Sequence, residues 1–357
     1  MSYIKPTVKE QAGMSAEESI EQTRRLVLER IRADTSFVVA THEHPDGDAL
    51  GSLIGMHGLL TALGKSSEMF ISPSDLPLPR EYRCPALEHA IQAAPADIGE
   101  RTVVMLDCGN IDRNPAAVLQ HGAHLLNIDH HHDNTLFGSL NLVEPTASCT
   151  AEIVWDLMHG LEVAPTAAIA EALYIGLVTD TGRFMYENTG PRAHQMAAEL
   201  IAAGVNVAAV NTRLYEDLPP AKLTLLGAGL ERIQRFDGGE LTLVALDAED
   251  FARAGAEESF SEGIVDHLRS IAATKVAVLI RELLGPESRG KRKVSLRATG
   301  DDVDVSAIAR TQGGGGHRRA AGFSSTLEVH ELIELLRREL AIQLHPAPNG
   351  PAVPTLA

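Results

Sequence analysis

The sequence offers little that could cross-link it, anchor it in a membrane or hold it against a long polyanion. Its three cysteines, Cys84, Cys108 and Cys149, form no CxxC pair and leave one over in any disulfide scheme. A disulfide scaffold is therefore excluded, and a reducing, cytoplasmic setting is expected. All three read as small buried side chains. The longest uncharged apolar stretch, Ala49 to Gly64, is cut by His57 and falls short of the roughly 20 residues that a membrane span requires. The N-terminal segment lacks the basic start and apolar block of a secretory signal, so neither insertion nor a secretory leader is expected. Basic residues are outnumbered, 31 Lys and Arg against 48 Asp and Glu, for a formal charge of −17. That balance disfavours long duplex DNA as a partner. Aromatics make up only 4%. Phe184 and Tyr186 could stack on a base, but core packing is the simpler role for at least one of them.

What the chain does contain, 44% hydrophobic and 22% charged residues, is ordinary globular composition. Its 357 residues exceed the ~100–200 of one domain, which favours two domains or three. Ile20, Leu26, Val27 and Ile31 recur at helical spacing and mark an amphipathic helix from about Ser15 to Ala33. Next come the apolar strands Phe37 to Ala40, Thr102 to Leu106 and His124 to Ile128, with a helix from Gly47 to Gly64 after the first. The second and third strands run directly into Asp107 and Asp129. This is the pattern of a parallel α/β sheet, in which ligands gather at the carboxyl ends of the strands. Four helices are expected beyond them: Ala147 to His159, Pro165 to Val178, Pro191 to Ala203 and Val205 to Leu214. A boundary falls near Asp217-Leu218-Pro219-Pro220. Past that boundary, strands at Leu241 to Leu246, Val276 to Arg281 and Lys293 to Arg297 predict a smaller α/β domain, and the Pro- and Ala-rich end reads as a disordered tail.

Four clusters could carry chemistry. His42-Glu43-His44-Pro45-Asp46-Gly47-Asp48 comes directly after a strand and offers imidazole and carboxylate ligands around a tight turn, although an Asp-Gly turn with surface histidines would look the same. Asp107 ends the next strand, where a lone aspartate is often only a helix cap. Asp129-His130-His131-His132-Asp133 is denser, with three imidazoles between two carboxylates. Carboxylate beside imidazole is the arrangement that orients a metal-bound histidine. Asp180 ends an apolar helix, where an acid opposes the helix dipole and calls for a nearby cation. Together these clusters fit two divalent ions held by Asp and His rather than thiolate.

HEHPDGDALGS, VVMLDCGN, NIDHHHDN and LVTDTGRF, in this order and spacing, resemble the four motifs of the DHH phosphoesterase superfamily. Gly313-Gly314-Gly315-Gly316-His317-Arg318-Arg319-Ala320-Ala321-Gly322 resembles the GGGHxxAAG motif of the associated C-terminal domain. The resemblance runs from about Ser36 to Leu340. It implies a DHH catalytic domain over 15–216, a linker over 217–222, a substrate-binding α/β domain over 223–345 and a tail over 346–357. It further implies that His42, Asp46 and Asp107 hold one ion and that Asp48, Asp107, His130 and Asp180 hold the second, with Asp107 as the bridge. Asp129 would stand behind the ligands, and His131 would face substrate as a hydrogen-bond or proton donor. In the smaller domain, Arg297, Gly314, Gly315, Gly316 and His317 are the expected phosphate contacts, ahead of Arg289, Lys291, Arg292, Arg318 and Arg319. Read alone, the four glycines would suit a flexible linker.

The reaction implied is phosphoester hydrolysis by a hydroxide bridging two divalent ions, with Mn²⁺ favoured and Mg²⁺ or Co²⁺ open. Among family members of this length, the resemblance points to bacterial enzymes that degrade very short oligoribonucleotides and remove the 3′-phosphate of 3′-phosphoadenosine 5′-phosphate. Phosphodiesterases of cyclic di-AMP or its linear product are the alternative, and a nucleotide-binding regulator without catalysis is a third. A homodimer is also implied.

Overall fold

A capping box starts the first element: the Ser15 hydroxyl accepts from the Glu18 N–H while the Glu18 carboxylate accepts from the Ser15 N–H. The helix it opens, α1 (Ala16–Ala33), buries Val27 and Ile31 completely. The computed structural model describes residues 15–114, 116–285, 288 and 290–345. The chain divides into two compact units, Met1–Asp217 and Leu218–Ala357.

In the N-terminal unit the strands β1 (Ser36–Thr41), β2 (Ser66–Met69), β3 (Thr102–Leu106), β4 (His124–Asp129) and β5 (Leu140–Val143) form one sheet in the order β2-β1-β3-β4-β5. Every pair is parallel. Register brings three polar residues to the same edge. Thr41 lies opposite Leu106, and Leu106 opposite Ile128, so the next residues, His42, Asp107 and Asp129, come off neighbouring strands side by side. The central strands are buried on both faces, and this is why they read as continuous apolar runs.

Five helices complete the unit: α2 (Gly47–Ala62), α3 (Thr150–Gly160), α4 (Ala167–Asp180), α5 (Pro191–Ala202) and α6 (Val207–Asn211), the last running into a π-helical turn at Thr212–Glu216. Helices α2 and α4 are apolar on almost every side and are largely buried. They pack antiparallel with their backbones in close approach. A Cβ on Gly51 would collide with the Ala172 carbonyl and stand 3.0 Å from the Gly176 nitrogen, and one on Gly55 would press on the Leu173 side chain. This contact brings the first turn of α2, with Asp48, to the last turn of α4, with Asp180.

In the C-terminal unit, α7 (Pro220–Leu230) precedes β6 (Gln234–Phe236) and β7 (Leu241–Leu246). Then come α8 (Ala248–Ala254), α9 (Ile264–Arg269), β8 (Val276–Glu282), β9 (Arg292–Ala298), α10 (Val305–Thr311), β10 (Gly315–His317), β11 (Ala320–Ser325) and α11 (Val329–Leu344). The sheet order is β10-β11-β9-β8-β7-β6, parallel only between β7 and β8. One face packs Val278, Leu296 and Phe323 against Leu332 and Leu336 of α11, and the other packs Val244 and Leu279 against Phe251 and Leu268.

The α/β class and the parallel N-terminal sheet agree with the sequence. Several details differ. The helix expected from Ala147 begins only at Thr150, and the expected connecting segment is shortened because Pro220 already opens α7. Cys108 and Cys149 are buried, but Cys84 is only partly so. The expected tail over 346–357 and Arg289 lie outside the described residues.

Gly51→Ala should cost about 1–3 kcal/mol through overpacking, because backbone rather than a mobile side chain stands in the way. Urea denaturation at fixed pH measures this. An unchanged midpoint would mean that α2 and α4 can separate freely.

Candidate metal centre

The turn after β1 is built to present Asp46 and Asp48. Asp46 caps α2 through Oδ1, accepting from the Asp48 and Ala49 N–H groups at 3.0 and 3.1 Å. Asp48, in the first turn of α2, is almost fully buried. It does for α3 what Cys149 does not: the N-cap position of α3 makes no side-chain bond, and instead the Thr150 N–H donates to Asp48 Oδ2 at 2.7 Å and the Ala151 N–H to Oδ1 at 2.9 Å. Two donors at a helix N-terminus, which have no partner within the helix, thus hold this carboxylate.

Asp107 ends β3 in a left-handed conformation, φ 53°, which costs a non-glycine residue free energy. His42 Nε2 lies 3.5 Å from its Oδ2, and His130 Nε2 lies 3.6 Å from its Oδ1. Thr150 Oγ1 donates to the same Oδ1 at 3.1 Å. His42 Nδ1 is 2.7 Å from the Glu43 carbonyl, an obligate acceptor, so Nδ1 carries a hydrogen and Nε2 is the nitrogen that faces Asp107. His130 Nε2 also approaches Asp48 Oδ2 at 3.9 Å and Asp180 Oδ2 at 3.7 Å. Asn188 steadies Asp180, its Nδ2 standing 3.1 Å from Oδ2 and 2.7 Å from the Ser148 carbonyl.

Asp129 is fully buried. Its Oδ1 accepts from the His130 and His131 N–H groups at 2.8 and 3.2 Å and lies 2.7 Å from His131 Nδ1, while Oδ2 accepts from Asn134 Nδ2 at 2.5 Å. With Nδ1 held by Asp129, Nε2 is the nitrogen through which the His131 ring can meet a ligand.

The electrostatics arise from three carboxylates in one space, Asp48 and Asp107 buried and Asp180 partly so. Burial, then the charges of Asp107 and Asp180, raise Asp48 well above its ordinary 3.8. Burial, then Asp107 and Asp46, do the same to Asp180. Burial also opposes ionisation of Asp107, but the His42 hydrogen bond and the imidazoles around it outweigh that and hold it well below the usual range. Burial works against a charge on His131, yet the Asp129 carboxylate prevails and pushes it up to about 10.

Such a set is suited to divalent cations. Atoms of His42, Asp46 and Asp107 lie within 4.8 Å of one another, as do those of Asp48, His130 and Asp180, and Asp107 also groups with His130 and His131. The donors are hard carboxylate oxygens and imidazole nitrogens, and the repulsion that raises Asp48 and Asp180 is what a cation would relieve. The structure therefore brings His42, Asp46, Asp48, Asp107, His130 and Asp180 together, with Asp129 behind His131. His44 stays apart: its side chain is exposed and its N–H donates to Asp75. Phe184 stacks on His194 and packs on the core.

In the C-terminal unit the glycine-rich segment is a β-hairpin rather than a loop. Gly315 pairs with Gly322, and Gly316, at φ 135°, with Ala321. A Cβ on Gly314 would collide with the Gly322 carbonyl, so packing alone requires two of the glycines. Arg297 lies on the adjacent β9, opposite Ala320, with Nε 3.7 Å from Asp266. The backbone of His317 pairs with Ala320. Arg318 and Arg319 are paired with Asp301, and Arg292 is buried against Glu328. Thr150 and Asn188 are site residues outside every motif quoted above, and Asn134 closes NIDHHHDN.

Fold and site together define an α/β protein with an Asp and His cluster that could hold divalent ions, joined to a second, mixed-sheet unit. The N-terminal domain of the DHH family matches residues 36–177, and the DHHA1 domain matches residues 243–341. The chain belongs to the DHH family. It is 35% identical over 333 residues, 92% of this chain and 95% of the relative, to the bifunctional oligoribonuclease and PAP phosphatase NrnA of Thermus thermophilus. It is 26% identical to the protein of the same name from Bacillus subtilis, over 81% of this chain and 89% of the relative. The fold is shared with an exopolyphosphatase-related protein of Bacteroides fragilis, at a TM-score of 0.77 and 22% identity over 90% of this chain and 96% of that one. Among the described residues no helix is long and apolar enough to cross a membrane.

The raised Asp48, Asp180 and His131 all bind protons more tightly folded than unfolded. For the two acids, stability present below about pH 4 is lost as pH rises; for His131 it is lost between about 6.5 and 10. Asp107 and Asp129, held low, act in the opposite sense in the acid range, so metal-free protein should lose stability as pH rises from about 6.5 to 10. The rise in Tm on adding Mn²⁺ should be larger at pH 8 than at pH 5.5, since ions displace those protons. Scanning calorimetry with and without EDTA tests this, and a pH-independent rise would mean that both acids are already ionised.

Proposed function

We propose that the chain is a metal-dependent phosphoesterase that hydrolyses short oligoribonucleotides and 3′-phosphoadenosine 5′-phosphate. The observation that carries this reading is the convergence of Asp48, Asp107, Asp180, His42 and His130 on one buried locus. Support comes from the full-length relative named for both activities. His42, Asp46 and Asp107 would hold one ion, and Asp48, Asp107, His130 and Asp180 the other, with Mn²⁺ favoured by the mixed ligation. Two such ions supply Lewis acidity, which neutralises charge on phosphoryl oxygens and lowers the pKa of the attacking water.

The chain's own groups supply the rest. Asp107 belongs to both ligand sets and is fixed between β3 and Thr150. Asp129 orients the His131 imidazolium, whose Nε2–H can donate to a phosphoryl oxygen or protonate the leaving oxygen. In the C-terminal unit, Arg297, Gly314, Gly315, Gly316 and His317 are the proposed contacts for a second phosphate or nucleotide.

Mass spectrometry of products after incubation with Mn²⁺ tests the reading. The substrates are 3′-phosphoadenosine 5′-phosphate, a short oligoribonucleotide, cyclic di-AMP and pyrophosphate, each given separately. AMP and mononucleotides from the first two are expected, and Asp107→Asn should lower turnover by about a thousandfold. Cleavage of cyclic di-AMP alone would instead make this a cyclic-dinucleotide phosphodiesterase. Silence on all four would make it a binding protein.

A further inference from the structure

Among the described residues, one cation stands at this acidic centre with no carboxylate to answer it. Arg113 lies on the short turn Ile111–Arg113, started by Asn110, whose side chain accepts from the Asp112 N–H. Two bonds tie the turn to the end of β1. The Glu43 N–H donates to the Arg113 carbonyl at 2.7 Å, and Asn114 Nδ2 donates to the Thr41 carbonyl at 2.6 Å. Position is therefore fixed by the same strand end that presents His42.

The half-buried guanidinium places Nη2 3.2 Å from His42 Nδ1. In the tautomer with Nε2 free for a metal, that approach is not a hydrogen bond: Nδ1 already donates to the Glu43 carbonyl, and both nitrogens carry hydrogens. Most other arginines of this unit face acids, as Arg24 does Glu144, Arg80 Asp217 and Arg213 Glu171, while Arg32 and Arg83 donate to carbonyls and Arg183 lies over the Tyr215 ring. Among the described residues no carboxylate lies within ion-pair distance of Arg113. Through His42, whose Nε2 lies 3.5 Å from Asp107, the guanidinium borders the same centre.

A guanidinium has five donors in a planar fork that matches phosphate oxygens. We propose that Arg113 is a substrate-binding residue of the N-terminal unit, donating to phosphate oxygens of the substrate beside His42 and acting on the anion rather than on the ions. This deepens the phosphoesterase reading and rests on it.

The test uses the full chain loaded with Mn²⁺ and inorganic phosphate as probe, with both affinities measured by titration calorimetry. Arg113→Gln should weaken phosphate binding by about 10- to 100-fold while Mn²⁺ affinity stays within about twofold. Arg113→Lys, a point charge without the fork, should fall between the two. With the best substrate, KM should rise by more than kcat falls. Unchanged phosphate affinity in Arg113→Gln would overturn the proposal, and so would a parallel loss of Mn²⁺ affinity, which would make Arg113 a support for His42. Arg113-dependent phosphate binding without turnover of any substrate would uphold the proposal and sink only the hydrolytic reading. A wild-type protein that binds no phosphate would overturn both.

Discussion

Asp48, Asp107 and Asp180 come from three different elements and share one desolvated space, and that repulsion governs the N-terminal unit. Like charges at this spacing cannot all ionise without compensation. The compensation is built locally: the first N–H groups of α3 on Asp48, His42 and Thr150 on Asp107, and Asn188 on Asp180. Apart from the imidazoles, none of these groups carries a positive charge. The centre is therefore stabilised enough to fold and left electrostatically short of what divalent ions supply.

Backbone packing sets the geometry of that centre. Because Gly51 and Gly55 let α2 lie directly on α4, a change in their separation would move Asp48 and Asp180 together. The negative end of α4 is turned on the site, and the positive end of α3 is occupied by Asp48. Strain gathers in the same place. His44, Asp107, Leu136, Arg183 and Phe184 all have left-handed backbone, and all lie in segments that leave β1, β3, β4 or α4 at the site. Rigid strands and helices hold these segments and offset the strain of holding them.

Much of this was legible in the sequence wherever burial is two-sided. β1, β3, β4, β7, β8 and β9 announce themselves as apolar runs or alternations, and their ends fall within a residue or two of expectation. The short strands β2 (SSEM) and β5 (LNLV) sit at the sheet edges, where one side needs no apolar partner, and they carry no such signal. The candidate ligand residues stood out because each lies at or beside the end of a strand or helix in a polar motif. Their supports were not. Thr150 and Asn188 act on residues 43 and 8 positions away, and a common Thr or Asn reveals nothing until the chain has folded. The glycine-rich segment was legible as a motif but not as a hairpin, since glycine disfavours strands except where another backbone comes close.

Charge also argues about substrate size. A net charge of −17 opposes any polyanion, and most arginines in both units are already committed to acids. A long nucleic acid would need a continuous basic track to offset that repulsion. A mononucleotide or very short oligomer needs only ions at one phosphate and one or two guanidiniums. Arg113 beside His42 is suited to such a task by its lack of an acid partner among the described residues. On the proposed phosphoesterase reading, so few unpaired cations suit a short substrate, since each further phosphate would add repulsion.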